Sequence, residues 1–199
     1  MTMTDVDICN RALSRLGTRA TIAALDENST EGRTASIWYA ATRDALLRGH
    51  EWNFARRRVI LGELDGGPGG VPVGWTHRYA LPGDCLRLLR IASAGREGEP
   101  VRFELVSDGA VRCVLCDEPE AEAVYTMRVI DPTLYDAAFT AALVDQLAAH
   151  IAYPITQKTD VAVRLAQMAR ATLADAMAAN ASEAMTPVDR LPDWLEGRS

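Results

Sequence analysis

The chain has 199 residues, 48% of them hydrophobic and 24% charged, with a formal net charge of −6. A chain of this length buries a core without disulfides or metal, and it fits one domain or one domain with an inserted subdomain. The acid excess argues against a free-standing DNA- or membrane-binding protein, because a surface that tracks phosphates carries an excess of Lys and Arg.

The first fifty-odd residues read as helical. Cys9, Ala12, Leu13 and Leu16 recur at spacings of three and four, so they line one face of a helix that Thr4 or Asp5 caps and Gly17 ends. After a polar loop through Asp26-Glu27-Asn28-Ser29, a second helix over 31–49 puts Ala35, Trp38, Tyr39, Thr42, Ala45 and Leu46 on an apolar stripe. The pattern then changes to short β-favouring runs over 58–64, 75–81, 85–92, 101–106, 110–115 and 123–129. Turn residues separate them, and Ser107-Asp108-Gly109 between two alternating runs signals a hairpin. Helix returns at Asp131-Pro132, a cap with proline in the first turn. Phe139, Leu143, Leu147 and Ile151 repeat every four residues, and Leu134, Ala138, Ala141, Val144 and Ala148 line an adjacent face. That helix should be buried on two sides and stop at Tyr153-Pro154. A last helix over 157–184 presents Val161, Leu165, Met168, Ala169, Leu173, Ala176 and Met177. Residues 133–185 hold 17 alanines, which favour helix and let axes approach closely. The order helices, strands, helices predicts an α+β fold: a helical bundle from the N- and C-terminal helices with a β-rich inserted lobe. The divisions are 1–57 and 131–185 for the two parts of the bundle, 58–130 for the lobe and 186–199 for a C-terminal tail.

Few patterns point to chemistry. Cys113-Val-Leu-Cys116 has the spacing of half a zinc site, but a second pair is missing and His50, His77 and His150 stand alone, so two buried cysteines are the better reading. Gly66-Gly67-Pro68-Gly69-Gly70 lacks the Lys-Ser/Thr of a phosphate cradle and reads as a flexible tip. His50-Glu51 lacks the second histidine of a zinc-protease helix, and no serine sits in a nucleophile elbow. Of the 21 basic residues only Lys158 is lysine. The arginine bias suits interfaces, and a GC-rich genome would produce the same bias. Arg56-Arg57-Arg58, with Arg43 and Arg48 nearby and Trp52 and Phe54 beside them, is the one concentrated basic feature. It fits nucleic-acid contact, a solvated helix end or subunit salt bridges. Four cysteines are too few and scattered for a disulfide framework, no apolar run approaches the ~18 residues of a membrane span, and the N-terminus lacks a signal peptide. Synthesis in a reducing cytoplasm is expected.

One set of segments goes further. The chain opens with Ile8-Cys9-Asn10-Arg11-Ala12-Leu13-Ser14-Arg15-Leu16-Gly17, followed by Tyr39, Arg43-Asp44-Ala45-Leu46-Leu47-Arg48 and His50-Glu51-Trp52-Asn53-Phe54-Ala55. Trp75, Tyr79, Leu81-Pro82-Gly83-Asp84-Cys85-Leu86-Arg87 and Tyr125 come next. Phe139-Thr140-Ala141-Ala142-Leu143, Leu147-Ala148, Ile151-Ala152, Pro154-Ile155-Thr156 and Asp193-Trp194-Leu195 complete the series. Together, over nearly the whole chain, they resemble the tail tubular protein A family of phage head–tail adaptors.

The resemblance implies a non-catalytic protein without cofactor or metal, made in the cytoplasm of a bacterial host and resident in the virion neck. It implies a homo-oligomeric ring of about twelve copies below the portal, passing DNA transiently through its channel, with a downstream tail or neck protein on the other side and no membrane partner. On that reading Leu191, Trp194, Leu195 and Arg198 face the portal, and Gly66, Gly67, Pro68, Gly69 and Gly70 form a tail-side loop. Trp52, Asn53 and Phe54 lock the helical half to the β lobe, and Arg56, Arg57 and Arg58 face the channel or a neighbouring subunit. The alternatives are a DNA-binding protein using Arg43, Arg48 and Arg56–Arg58, a zinc module around Cys113 and Cys116, or another neck protein such as a stopper or tail-completion protein.

Overall fold

A computed structural model describes residues 2–64, 70–92, 101–109 and 111–183. α1 (Asp5–Arg15) starts at Thr4, whose hydroxyl accepts from the Asp7 amide at 3.1 Å while the Asp7 carboxylate accepts from the Thr4 amide at 2.9 Å. This reciprocal cap satisfies two of the helix's orphan donors. Ile8, Cys9, Ala12 and Leu13 are its buried face. Gly17 follows at φ +77, a left-handed turn that glycine takes without penalty. α2 (Thr30–Gly49) is capped by Ser29 and buries Gly32, Ala35, Tyr39, Thr42, Arg43, Leu46 and Leu47. The stripe is therefore rotated from the expected one: Trp38 is half-exposed and Ala45 faces solvent.

A single 3-10 turn (Asn53–Ala55) joins α2 to the strands. These are β1 (Arg56–Ile60), β2 (His77–Ala80), β3 (Cys85–Ala92), β4 (Phe103–Asp108), β5 (Val111–Cys116) and β6 (Glu122–Met127). All six expected strands form, most with their ends displaced by one to three residues. The main correction is at β1, where Arg56-Arg57-Arg58 open a strand instead of closing a helix. The strands make two antiparallel three-stranded sheets, β1-β6-β3 and β2-β5-β4. The hairpin expected at Ser107–Gly109 joins β4 to β5, with Gly109 at φ +59. One apolar cluster unites Leu88, Ile91, Ala123 and Tyr125 of the first sheet with Tyr79, Val114 and Cys116 of the second. The sheets thus pack face to face as a small sandwich. Its first and last strands are hydrogen-bonded neighbours, Arg56 opposite Thr126 and Ile60 opposite Glu122. Chain entry and exit therefore lie side by side, which is what lets a β lobe be inserted into a helical bundle without splitting it.

Asp131-Pro132 begins a separate 3-10 turn (Pro132–Leu134), and Leu134 is 60% exposed, contrary to the buried position expected for it. α3 (Ala137–Thr156) starts later, where Asp136 accepts from the amides of Ala138 and Phe139 at 2.7 and 3.2 Å. Asp131 also caps, accepting from the Thr133 amide at 2.9 Å, but its turn ends at Leu134, and Asp136 caps the long helix. Nor does the helix stop at Tyr153-Pro154: Pro154 removes one ladder bond in the last turn, and the helix closes at Gln157 in the left-handed region. α4 is Thr159–Ser182, with Leu165, Ala169, Ala176 and Asn180 buried. α3 packs against α1, α2 and α4. Its Phe139, Leu143, Leu147 and Ile151 are fully buried, and so are Ala142, Ala148 and Ala152 around the axis. The two-sided burial expected of this helix is present within Ala137–Thr156, where Val144 and Ala148 of the second face are buried; Ala141, like Leu134 before the helix, is turned to solvent.

Candidate functional surfaces

The segment after α2 is held by the helices. Trp52 is fully buried, donates its indole N–H to the Leu46 carbonyl at 2.9 Å, and meets Phe139 edge-to-face at 5.1 Å. Phe54 packs on Phe139 and Tyr135 at 5.0 and 6.0 Å. Asn53 is clamped by Asn180 of α4: its amide N–H donates to Asn180 Oδ1 at 2.8 Å, and its Nδ2 donates to the Asn180 carbonyl at 2.9 Å. Asn180 Nδ2 donates in turn to the Glu51 carbonyl at 2.9 Å and to His50 Nε2 at 3.1 Å. Trp52, Asn53 and Phe54 thus sit where the bundle meets β1, and these contacts tie them to the bundle. From the lobe side, Leu86, Met127 and Val129 enter the same apolar cluster.

The arginines offered for nucleic acid do not converge on one surface. Arg43 is 7% exposed and bound to Asp44 at 2.8 Å. It lies beside Tyr39 and Tyr135, and the Tyr39 hydroxyl donates to Asp5 at 2.6 Å. Burial, then that bond, raises the Tyr39 phenol far above its usual value. Arg48 donates to the Leu86 carbonyl of β3, and Arg128 pairs with Asp44 at 2.8 Å. These two links are polar bonds between the bundle and the lobe, and sequence spacing gives no sign of them. Arg56, Arg57 and Arg58 are exposed on β1, Arg56 pairing with Glu51 at 3.2 Å and Arg57 with Asp84 at 3.6 Å.

A cavity of about 240 Å3 opens between α2, α3 and α4, lined by Thr42, Leu46, His50, Gln146, His150 and Leu173 among others. Thr42 Oγ1 and His150 Nδ1 are 2.9 Å apart, and Trp38 lies over the His150 ring at 5.0 Å. Burial lowers both imidazoles below the ordinary histidine value, which favours the neutral form. The lining carries no ionised side chain, so this hydroxyl–imidazole pair has no carboxylate behind it to drive a proton transfer. Cys113 and Cys116 are both fully buried in β5; their odd spacing puts them on opposite faces, with Cys116 in the sandwich core. All four thiols are free, and burial pushes Cys9 up to about 12. Among the described residues, no three His, Cys, Asp or Glu side chains stand together as a metal site.

Asp145 was not singled out in the sequence, yet it joins three helices. It is 5% exposed on α3, receives Thr172 Oγ1 of α4 at 2.7 Å and pairs with Arg15 of α1 at 2.9 Å. The available signal was a carboxylate inside a helix apolar on two faces, which must find partners when buried. Gly70 of the expected tail-side loop has φ +62. Gly66, Gly67, Pro68 and Gly69, and the expected portal contacts Leu191, Trp194, Leu195 and Arg198, lie outside the described residues. No protein-family model matches this chain, and no curated protein matches it either.

Proposed function

We propose that the chain is a structural subunit of an oligomeric ring that joins the portal of a tailed-phage head to the tail and continues the DNA channel. The observation that carries this reading is the architecture, a β-sandwich inserted between the two halves of a helical bundle, which is the arrangement implied by the resemblance to head–tail adaptors. A second feature supports it. Ile37 is 70% exposed on α2, Tyr153 52% on α3 and Val163 52% on α4, apolar surface that a solitary subunit leaves in water and a neighbouring copy covers. In this reading the tail of residues 186–199 and the helical half engage the portal, the lobe meets the next neck or tail protein, and DNA passes without sequence-specific contact. The burial of Arg43 and the internal bond of Arg48 weigh against the DNA-binding alternative, since they remove two of its five arginines from ligand contact.

A chain ending at Met185 is expected to keep the far-UV circular dichroism and melting temperature of the full chain. Its affinity for the portal in a pull-down should fall at least about tenfold, as for loss of an aromatic anchor. Unchanged affinity would remove the tail from the interface.

A further inference from the structure

The register of the β1-β6-β3 sheet sets four arginines in two rows on its outer face. Arg56 and Arg87 flank Thr126, and Arg58 and Arg90 flank Val124; Ile60 and Ala92 flank Glu122 in the third row. The opposite face, with Val59, Leu88, Ala123 and Tyr125, is the one packed in the sandwich core. All four arginines are exposed, and Arg58, Arg87 and Arg90 pair with no described carboxylate. From the spacing of paired strands and of alternate residues, their Cα positions mark a rectangle of about 7 by 10 Å. At its centre Val124 is fully buried, though it belongs to neither apolar cluster. Thr126 is 1% exposed, and its hydroxyl has no hydrogen-bond partner among the described residues. The long stems reaching in from both edges are suited to cover these two side chains while their guanidinium heads stay in water.

We propose that this face is a docking surface for an extended polypeptide segment bearing carboxylates at alternate positions. Residues i and i+2 of an extended chain lie about 7 Å apart on one side, the spacing of the two arginine rows. Guanidinium takes carboxylate through two parallel bonds and is weakly enough hydrated to stay at a protein interface. Two features select a short polypeptide segment over a polyphosphate. Ile60, 71% exposed in the third row, adds apolar surface beside the charged field, the mixture found at protein interfaces. Glu51 beside Arg56 and Glu122 in the third row bound the rectangle at both ends, so a long phosphate chain crossing it would pass over carboxylates. The inference stands on the sheet alone and holds whether or not the chain is a neck protein.

The test uses the full chain and a fluorescein-labelled peptide of four Glu-Thr repeats, with a Lys-Thr peptide and a twelve-nucleotide oligothymidylate as comparison arms. The Glu-Thr peptide binds with an affinity that falls as salt rises, and R58E/R90E weakens it at least about tenfold. The milder R58Q and R90Q each give a smaller loss, which keeps the test open if charge reversal impairs folding. On the wild-type chain, NMR shift changes on peptide addition centre on Val124 and Thr126. Absence of peptide binding, binding indifferent to these substitutions, or tighter binding of oligothymidylate at the same residues overturns the proposal.

Discussion

Trp52→Ala lowers the stability of the chain by about 3–5 kcal/mol, the range for truncating a fully buried large aromatic. Trp52 has no exposed surface, and its ring stands edge-to-face with both Phe139 and His50, at 5.1 and 4.9 Å. The substitution opens a void where α2 ends, against the middle of the bundle core. It also takes the indole donor from the Leu46 carbonyl, leaving a buried acceptor short of a bond. Trp52→Phe keeps part of the ring and loses the donor, so it falls between the two. Urea unfolding monitored by circular dichroism at 222 nm measures both. A loss below about 1 kcal/mol for the alanine variant would mean the site collapses freely and is not the anchor described.

Asn180→Ala costs about 2–3 kcal/mol, because it strips partners from several part-buried groups at once. The Asn53 amide loses its acceptor, the Glu51 carbonyl its donor, and His50 Nε2 its hydrogen bond. The geometry requires His50 Nε2 to accept, so the clamp belongs to the neutral imidazole. Burial lowers the His50 value below 6.5, with Glu51 pulling the other way by less, and burial lowers His150 in the same direction. A histidine depressed in the folded state holds fewer protons than the unfolded chain. Its contribution is therefore complete above the ordinary value of 6.5 and is lost as pH falls through the lower, folded value. The urea midpoint should be steady above pH 7 and decline below about 6.5. His50→Gln reduces stability at neutral pH and flattens part of that decline, the remainder belonging to His150. A decline of unchanged steepness in His50→Gln would assign the titration elsewhere.

The parts of this fold that were legible in the sequence were those fixed by local periodicity. α1 was announced by the spacing of Cys9, Ala12, Leu13 and Leu16 with Thr4 before and Gly17 after, and α3 by the four-residue repeat from Phe139 to Ile151. The six strands were visible because turn residues punctuate them. Boundaries failed where two signals competed. Asp131-Pro132 looks like a helix start but caps only a 3-10 turn, and a second cap at Asp136, five residues on, opens the long helix. Pro154 looks like a stop, yet so near a C-terminus it deletes a single bond. What periodicity does not encode is which polar groups meet across the fold. Asn180 stands 127 residues from Asn53, and Arg48 reaches a β3 carbonyl. The arginine rows on the first sheet were equally hidden, because Arg56 and Arg58 come from its first strand and Arg87 and Arg90 from another, brought level only by the register of β6.

The same division applies to function. The resemblance rests on short segments that the fold turns into core and junction: Trp52, Phe54, Phe139 and Leu143 fill the bundle. Surfaces that meet partners are free of such packing constraints, so single-sequence reading finds them least well. The function proposed for this polypeptide is that of a ring subunit gripping other chains around a channel. Electron cryomicroscopy of a phage neck assembled with this chain tests that proposal most directly. A closed ring of copies, coaxial with the portal and with the α1–α4 bundle turned toward it, is the expected density; a complete neck with no density matching this fold would contradict the claim.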